Sequence, residues 1–138
     1  MSSVAIVDDN ADVLALFRTL IDPFHEVRTY ADAASALAGV KQHRPDVVLL
    51  DISLGDANGV DVLHALRAQE GLESVPVIAV TAHSQRSERT RFLAEGFTDY
   101  VAKPVRDHGV LLSVIETALL GESAPAPDDD DDDEPTLV

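Results

Sequence analysis

The apolar positions of the chain fall into two alternating periods. Short runs dominated by β-branched residues stand at Val4–Val7, Val47–Leu50 and Val75–Val80. Each is nearly continuous in apolar character, the pattern of a parallel strand covered on both faces. Two weaker runs, Glu26–Tyr30 and Tyr100–Ala102, read as further strands. Between these runs the period lengthens. Val13, Leu14, Leu16, Phe17, Leu20 and Ile21 recur at three- and four-residue spacing, which predicts an apolar stripe along a helix. Ala33–Val40, Val60–Leu66, Arg89–Leu93 and Val110–Leu119 behave similarly, with Gly39, Gly71, Gly96 and Gly121 near their ends and Pro23, Pro45 and Pro76 separating elements. The pattern is strand then helix, five times over.

Right-handed crossovers between parallel strands leave helices on both faces of one sheet, so the expected class is α/β, a doubly wound five-stranded parallel sheet of (βα)5 type. In such sheets the functional site forms outside the carboxyl ends of the strands, where strand order reverses. Four strands meet that demand with polar residues: Asp8-Asp9 after the first, Asp51 after the third, Thr81 at the end of the fourth and Lys103-Pro104 after the fifth. Three carboxylates, one hydroxyl and one ammonium thus converge on a single crevice. Clustered carboxylates repel unless a cation is present. Oxygen-only ligands of high charge suit a hard ion, and Mg²⁺ takes one or two carboxylates together with phosphate oxygens. Lysine offers a point charge to a phosphoryl oxygen and threonine a hydrogen-bond donor. The combination points to a phosphoryl group carried by one of the carboxylates. Asp8-Asp9-Asn10 also suits the N-cap of the first helix, and the two roles are compatible.

Composition narrows the setting. The chain has 138 residues, room for one compact domain, and 46% of them are apolar. It contains no cysteine, which excludes a disulfide scaffold, a thiolate metal site and a cysteine nucleophile. The formal charge of −15 argues against electrostatic binding to DNA or to an anionic membrane. No apolar run approaches the roughly 20 residues that span a bilayer. Met1-Ser2-Ser3 lacks the basic and apolar regions of a signal peptide, so a cytoplasmic location is expected. The acid is unevenly spread. Residues 122–138 hold eight of the 25 acidic residues and none of the ten basic ones, leaving residues 1–121 with a net charge of −7. Asp128 to Asp133 form an unbroken run between Pro125, Pro127 and Pro135, which predicts a disordered acidic tail behind a folded unit of residues 1–121. His25, His43, His64 and His108 read as solvated surface residues whose spacing suggests no metal site.

Over residues 4–120 the sequence resembles the receiver domains of two-component response regulators. The stretches that carry the resemblance are Val4 to Asn10, Pro45 to Asp51, Gly59, Val80-Thr81-Ala82 and Gly96 to Pro104. The resemblance implies a flavodoxin-like sheet of strand order 2-1-3-4-5. It implies that Asp51 is the phosphoacceptor, receiving the group from a sensor histidine kinase or a histidine phosphotransfer protein. Asp9 and Asp51 would ligate Mg²⁺ directly, Asp8 through water, and Ser53 through its backbone carbonyl. Lys103 would pair with Asp51 at rest and with a phosphoryl oxygen afterwards, and Thr81 would donate its hydroxyl to another. Tyr100 would be the switch aromatic that moves with Thr81 and alters the face made by the fourth helix, fifth strand and fifth helix. That face would serve a downstream protein target or a weak dimer, the chain otherwise being monomeric. Ser53 and His83 hold the positions that tune self-dephosphorylation. Many relatives have proline four residues after the acceptor, where Gly55 stands here, followed by Asp56. Two other classes compete with this reading: a phosphate-independent pseudo-receiver acting as an interaction module, and an aspartate-nucleophile phosphatase of the haloacid-dehalogenase kind. The first would be marked by loss of an acid or the lysine, and none is lost. The second wants an acid two residues after the nucleophile, where Ser53 stands. A flavin carrier of the same fold lacks its Ser/Thr/Gly-rich phosphate cradle in the first βα loop.

Overall fold

A computed structural model describes residues 2–54, 57–81, 86–103 and 108–120, of which 86–89 are described by their backbone alone. The chain runs β1 (Ser3–Val7), α1 (Ala11–Ile21), β2 (Glu26–Tyr30), α2 (Ala33–Gln42), β3 (Val47–Asp51), β4 (Ser53–Leu54), β5 (Ala57–Asn58), α3 (Gly59–Arg67), β6 (Val77–Thr81), α4 (Arg86–Glu95), β7 (Asp99–Ala102) and α5 (His108–Leu119). Five strands form one parallel sheet in the order β2-β1-β3-β6-β7. Counting only these five, the order is the expected 2-1-3-4-5. The sheet is doubly wound, and its direction of growth reverses at the β1/β3 junction.

The two faces of the sheet are separate cores. Val4, Ile6, Val47, Leu49, Ile78 and Val80 pack against Phe17 and Ile21 of α1 and Leu111, Ile115 and Ala118 of α5. Ala5, Val7, Val48, Leu50, Val77 and Ala79 pack instead against α2, α3 and Phe92 of α4. The strict alternation explains why β1, β3 and β6 read as unbroken apolar runs: neither face of these strands meets water.

Local signals place the helix ends. Asn10 caps α1, its side-chain oxygen accepting the N–H groups of Asp12 at 2.8 Å and Val13 at 3.1 Å. The capping role thus falls to Asn10, and Asp8 and Asp9 are left for other partners. Asp32 caps α2 by accepting from the Ser35 N–H at 2.7 Å, and Asn58 caps α3 by accepting from Val60 N–H at 2.8 Å. At the other end of α3, the Arg67 guanidinium donates to the carbonyls of Leu72, at 3.3 Å, and Val75, and to that of Gly96 at 3.1 Å. It joins the α3–β6 connection to the turn before β7. Its partial burial draws its pKa below the ordinary guanidinium value.

Two features differ from the sequence reading. A two-stranded antiparallel hairpin, β4 with β5, stands between Asp51 and α3, where only a loop was expected. Two-residue strands carry too little periodicity to register as such. The second difference is His25, which is not a solvated surface residue. It is buried, and its Nε2 lies 2.5 Å from Glu116 Oε2 on α5. The apolar pattern places α1 and α5 on one face, but a contact between residues 91 positions apart leaves no local signal. His43, His64 and His108 are exposed, as expected, with His64 Nε2 lying 3.2 Å from Glu95 Oε1.

Candidate functional site

The site sits at the reversal point. β1 and β3 are adjacent, with Val7 in register with Leu50, so Asp8 and Asp51 emerge side by side at the buried carboxyl ends of two strands. Asp8 is 1% exposed and Asp51 5%, whereas Asp9 faces solvent. One carboxylate oxygen from each of Asp8, Asp9 and Asp51 lies within 4.8 Å of the others. Each buried carboxylate also receives a local backbone donor. Asn10 N–H donates to Asp8 Oδ1 at 2.9 Å, and Ser53 N–H donates to Asp51 Oδ1 at 3.1 Å.

Lys103 supplies the ammonium. Its backbone N–H donates to the Thr81 carbonyl at 2.7 Å, which fixes the end of β7 to the end of β6. From there its Nζ reaches Asp8 Oδ2 at 2.8 Å and Asp51 Oδ2 at 3.4 Å. The sequence reading paired this lysine with Asp51 alone, but the ammonium is shared and lies nearer Asp8. Thr81 is buried at the last position of β6, beside Ala102 in register. Tyr100 lies two residues earlier on the edge strand β7, half-buried against the α2–α3–α4 core. Ser53 is exposed on β4. His83, Ala82, Pro104, Gly55, Asp56 and the acidic tail lie outside the described residues.

Electrostatics follow from this packing. Burial pushes the Asp51 carboxyl above the ordinary range. The Ser53 N–H pulls it back, the charge of Asp8 adds to the rise, and Lys103 opposes it. Burial alone would lower Lys103, but Asp8 and Asp51 more than offset it and hold the ammonium above the usual lysine value. Three carboxylates face one ammonium. Their donors are all oxygen and their charge is under-compensated, so the set fits a hard divalent cation.

Gly59 closes the site from below. A Cβ there would lie 2.7 Å from both the Asp51 carbonyl oxygen and the Ile52 Cα, and 3.2 Å from the Ile52 oxygen. The Gly59 N–H donates to that same Ile52 oxygen at 2.8 Å. The first turn of α3 is therefore packed directly on the backbone that carries Asp51.

A doubly wound parallel sheet whose reversal point gathers three carboxylates, a threonine and a lysine defines a narrow class of α/β domain. Residues 4–116 match the family described as response regulator receiver domain. The chain is 37% identical over 105 residues to the polar-differentiation response regulator DivK of Brucella anthropi, covering 75% of this chain and 85% of that protein. Its structure is similar to that of the chemotaxis response regulator CheY4 of Vibrio cholerae, with a TM-score of 0.79 at 26% identity, covering 86% of this chain and 98% of that one. It is also similar to part of NtrX from Brucella abortus, with a TM-score of 0.79 at 30% identity, covering 87% of this chain and 27% of that one. The chain belongs to the response regulator receiver domain family, a family of signalling domains. Among the described residues no helix is long and apolar enough to cross a membrane.

Proposed function

We propose that this chain is a response regulator receiver that accepts a phosphoryl group on Asp51 from a histidine kinase or histidine phosphotransfer protein and thereby switches a protein-binding face. The observation that carries the reading is the shared contact of Lys103 Nζ with Asp8 Oδ2 and Asp51 Oδ2 at the sheet's reversal point. An oxygen of Asp51 attacks the phosphorus of the donor phosphohistidine, the P–N bond breaks, and an acyl phosphate forms. Phosphoryl transfer needs little covalent help beyond the nucleophile, so positioning and charge neutralisation carry the rate. The Ser53 N–H orients Asp51, burial raises the basicity of the carboxylate, and Lys103 is placed to meet a phosphoryl oxygen. Thr81, at the adjacent strand end, would donate its hydroxyl to another.

Asp8, Asp9 and Asp51, with the Ser53 carbonyl, are the residues that would hold Mg²⁺. When bound, the ion neutralises charge on the carboxylates and on the incoming phosphoryl group. Tyr100, the second residue of β7 and packed on the core, is the side chain through which a movement of Thr81 would reach the face of α4, β7 and α5. Ser53, two residues after the acceptor, and His83, two residues after Thr81, would tune the lifetime of the acyl phosphate. Residues 1–121 form the receiver unit and 122–138 an acidic tail. The partners are the phosphodonor and a downstream protein in the cytoplasm, without DNA or membrane. A phosphatase of the haloacid-dehalogenase kind lacks its second acid here, because Ser53 takes that position. The test is covalent labelling with a small acyl-phosphate donor and Mg²⁺, read by intact-protein mass. The unsubstituted chain gains one phosphoryl group, and Asp51→Asn gains none. Labelling that survives Asp51→Asn removes Asp51 from the acceptor role.

A further inference from the structure

β2 is an edge of the sheet, and among the described residues no strand pairs with its outer side. The direction of its backbone groups follows from its bonds to β1. Glu26 N–H donates to the Ser2 carbonyl at 2.8 Å, and the Tyr30 carbonyl accepts from Asp8 N–H at 3.1 Å. In a parallel ladder alternate residues direct both backbone groups to the same neighbour. Residues 26, 28 and 30 therefore serve β1, while Val27 and Thr29 present their N–H and C=O groups to the open edge. An unprotected row of this kind is a template for pairing with another chain.

One of these outward groups is already taken. Arg18, on the last turns of α1, donates from Nη2 to the Val27 carbonyl at 3.2 Å. The guanidinium lies across the start of the edge, in a groove of about 690 Å³ that Arg18 shares with Asp22, His25, Glu26, Val27 and Arg28. The identity of the covered carbonyl matters. A second β2 could pair antiparallel in three short registers that bond outward-facing residues, and with Thr29 opposite Thr29 of the second copy Arg28 stands opposite Tyr30 and gains no charge partner. With Val27 opposite Thr29 of the second copy, Arg28 stands directly opposite the second copy's Arg28, and like charges in that position repel. With Val27 opposite Val27 of the second copy, Glu26 stands opposite the second copy's Arg28 and Arg28 opposite its Glu26, two complementary pairs. That register needs the Val27 carbonyl, the group Arg18 occupies.

We propose that Arg18 guards the open β2 edge, and that without it β2 pairs antiparallel with β2 of a second copy, Val27 opposite Val27. Arg28 disfavours the Val27–Thr29 register by charge, and Arg18 closes the charge-complementary one by occupying its central acceptor. The surface is separate from the α4–β7–α5 face, so the guard keeps an unproductive association from competing with the signalling one.

The experiment is sedimentation velocity of the full chain over a concentration series, with far-UV circular dichroism to verify the fold of each variant. Arg18→Ala should strengthen self-association by roughly tenfold or more, the worth of a charge-assisted hydrogen bond that no longer has to be broken. The substitution adds net negative charge to an already acidic chain, so general electrostatics works against this result. In the Arg18→Ala background, Glu26→Arg should abolish the gain, since the new guanidinium faces the second copy's Arg28. Adding Arg28→Glu should restore it. Arg18→Met, which keeps the aliphatic stem, stands in if the alanine variant does not fold. Association no stronger than that of the unsubstituted chain overturns the proposal. So does a gain that Glu26→Arg leaves intact, or a loss that Arg28→Glu fails to reverse.

Discussion

Gly59→Ala tests the packing of α3 on the acceptor loop. The added methyl group would sit 2.7 Å from the Asp51 carbonyl oxygen and the Ile52 Cα, against an ordinary contact distance of 3.4 Å or more. Both atoms are backbone, so no side chain can swing aside. Either the first turn of α3 or the Asp51–Ile52 peptide must move by about 0.7 Å to restore ordinary contact. Overpacking of this size costs about 1–3 kcal/mol. Replacing glycine by alanine in a helix returns up to about 1 kcal/mol. The net loss of stability is then about 0–3 kcal/mol, small enough for the domain to stay folded.

The loss of function should be larger than that figure suggests. A displacement of about 1 Å at reacting groups can cost on the order of 100-fold in rate, and the strained peptide here carries the nucleophile itself. We expect labelling by an acyl-phosphate donor to slow by about 10- to 100-fold. Urea unfolding of the same sample should remain cooperative, with the midpoint lowered by no more than that stability loss implies. Labelling at the unsubstituted rate would refute the reasoning, because it would mean that the Asp51 geometry does not depend on the close approach of α3.

Three further perturbations probe other parts of the molecule. Asp9→Ala removes an exposed carboxylate from the trio, and Mg²⁺ affinity by calorimetry should fall about tenfold or more; truncation after residue 121 should leave it nearly unchanged, and an equal loss there would move the cation to the poly-Asp run. Arg67→Met deletes the donors to Leu72, Val75 and Gly96 and should cost about 2–4 kcal/mol in urea unfolding, with little effect on labelling. Asp32 is held below the ordinary carboxylate range, chiefly by the Ser35 N–H. Its cap therefore stabilises the fold above that range and is lost as pH falls through the lowered pKa. The melting-temperature gap between the unsubstituted chain and Asp32→Ala should be open at neutral pH and close in acid; a gap independent of pH would mean that the charge on Asp32 plays no part.

The backbone layout was legible because the three central strands are short, rich in β-branched residues and bounded by turn residues. β2, Glu26–Tyr30, coincides with its predicted span. The ends of helices were less legible. α4 extends to Arg86–Glu95 beyond the predicted Arg89–Leu93, because its polar composition carries almost no apolar period. At the site, Asp8, Asp9 and Asp51 were predictable as a cluster because the parallel topology delivers all strand ends to one rim. The division of Lys103 between Asp8 and Asp51 was not, since it depends on distances across three strands. The same holds for His25 and Glu116, and for Arg18 on the β2 edge. Such contacts join residues whose neighbours in sequence say nothing about each other.

The charge imbalance at the site carries a last consequence for stability. Two buried carboxylates, Asp8 and Asp51, share one ammonium beside the exposed Asp9, and burial raises Asp51 above its ordinary range. A carboxyl raised in the folded state binds its proton more tightly there than in the unfolded chain. Stability therefore falls as pH climbs from the ordinary range through the raised pKa, and the penalty persists at neutral pH. Asp51→Asn removes the ionisable group while keeping a side chain of nearly the same shape. Lys103 keeps Asp8 at 2.8 Å, so the substitution does not orphan the ammonium. In metal-free buffer at neutral pH, Asp51→Asn should thus unfold at higher urea than the unsubstituted chain. Saturating Mg²⁺ should narrow the gap, because the ion binds the folded trio and the substituted site holds it less well. An Asp51→Asn chain less stable than the unsubstituted one without metal would show that the carboxylate holds the fold together. It would then be wrong to describe Asp51 as a charge kept at the rim of the sheet at the expense of stability.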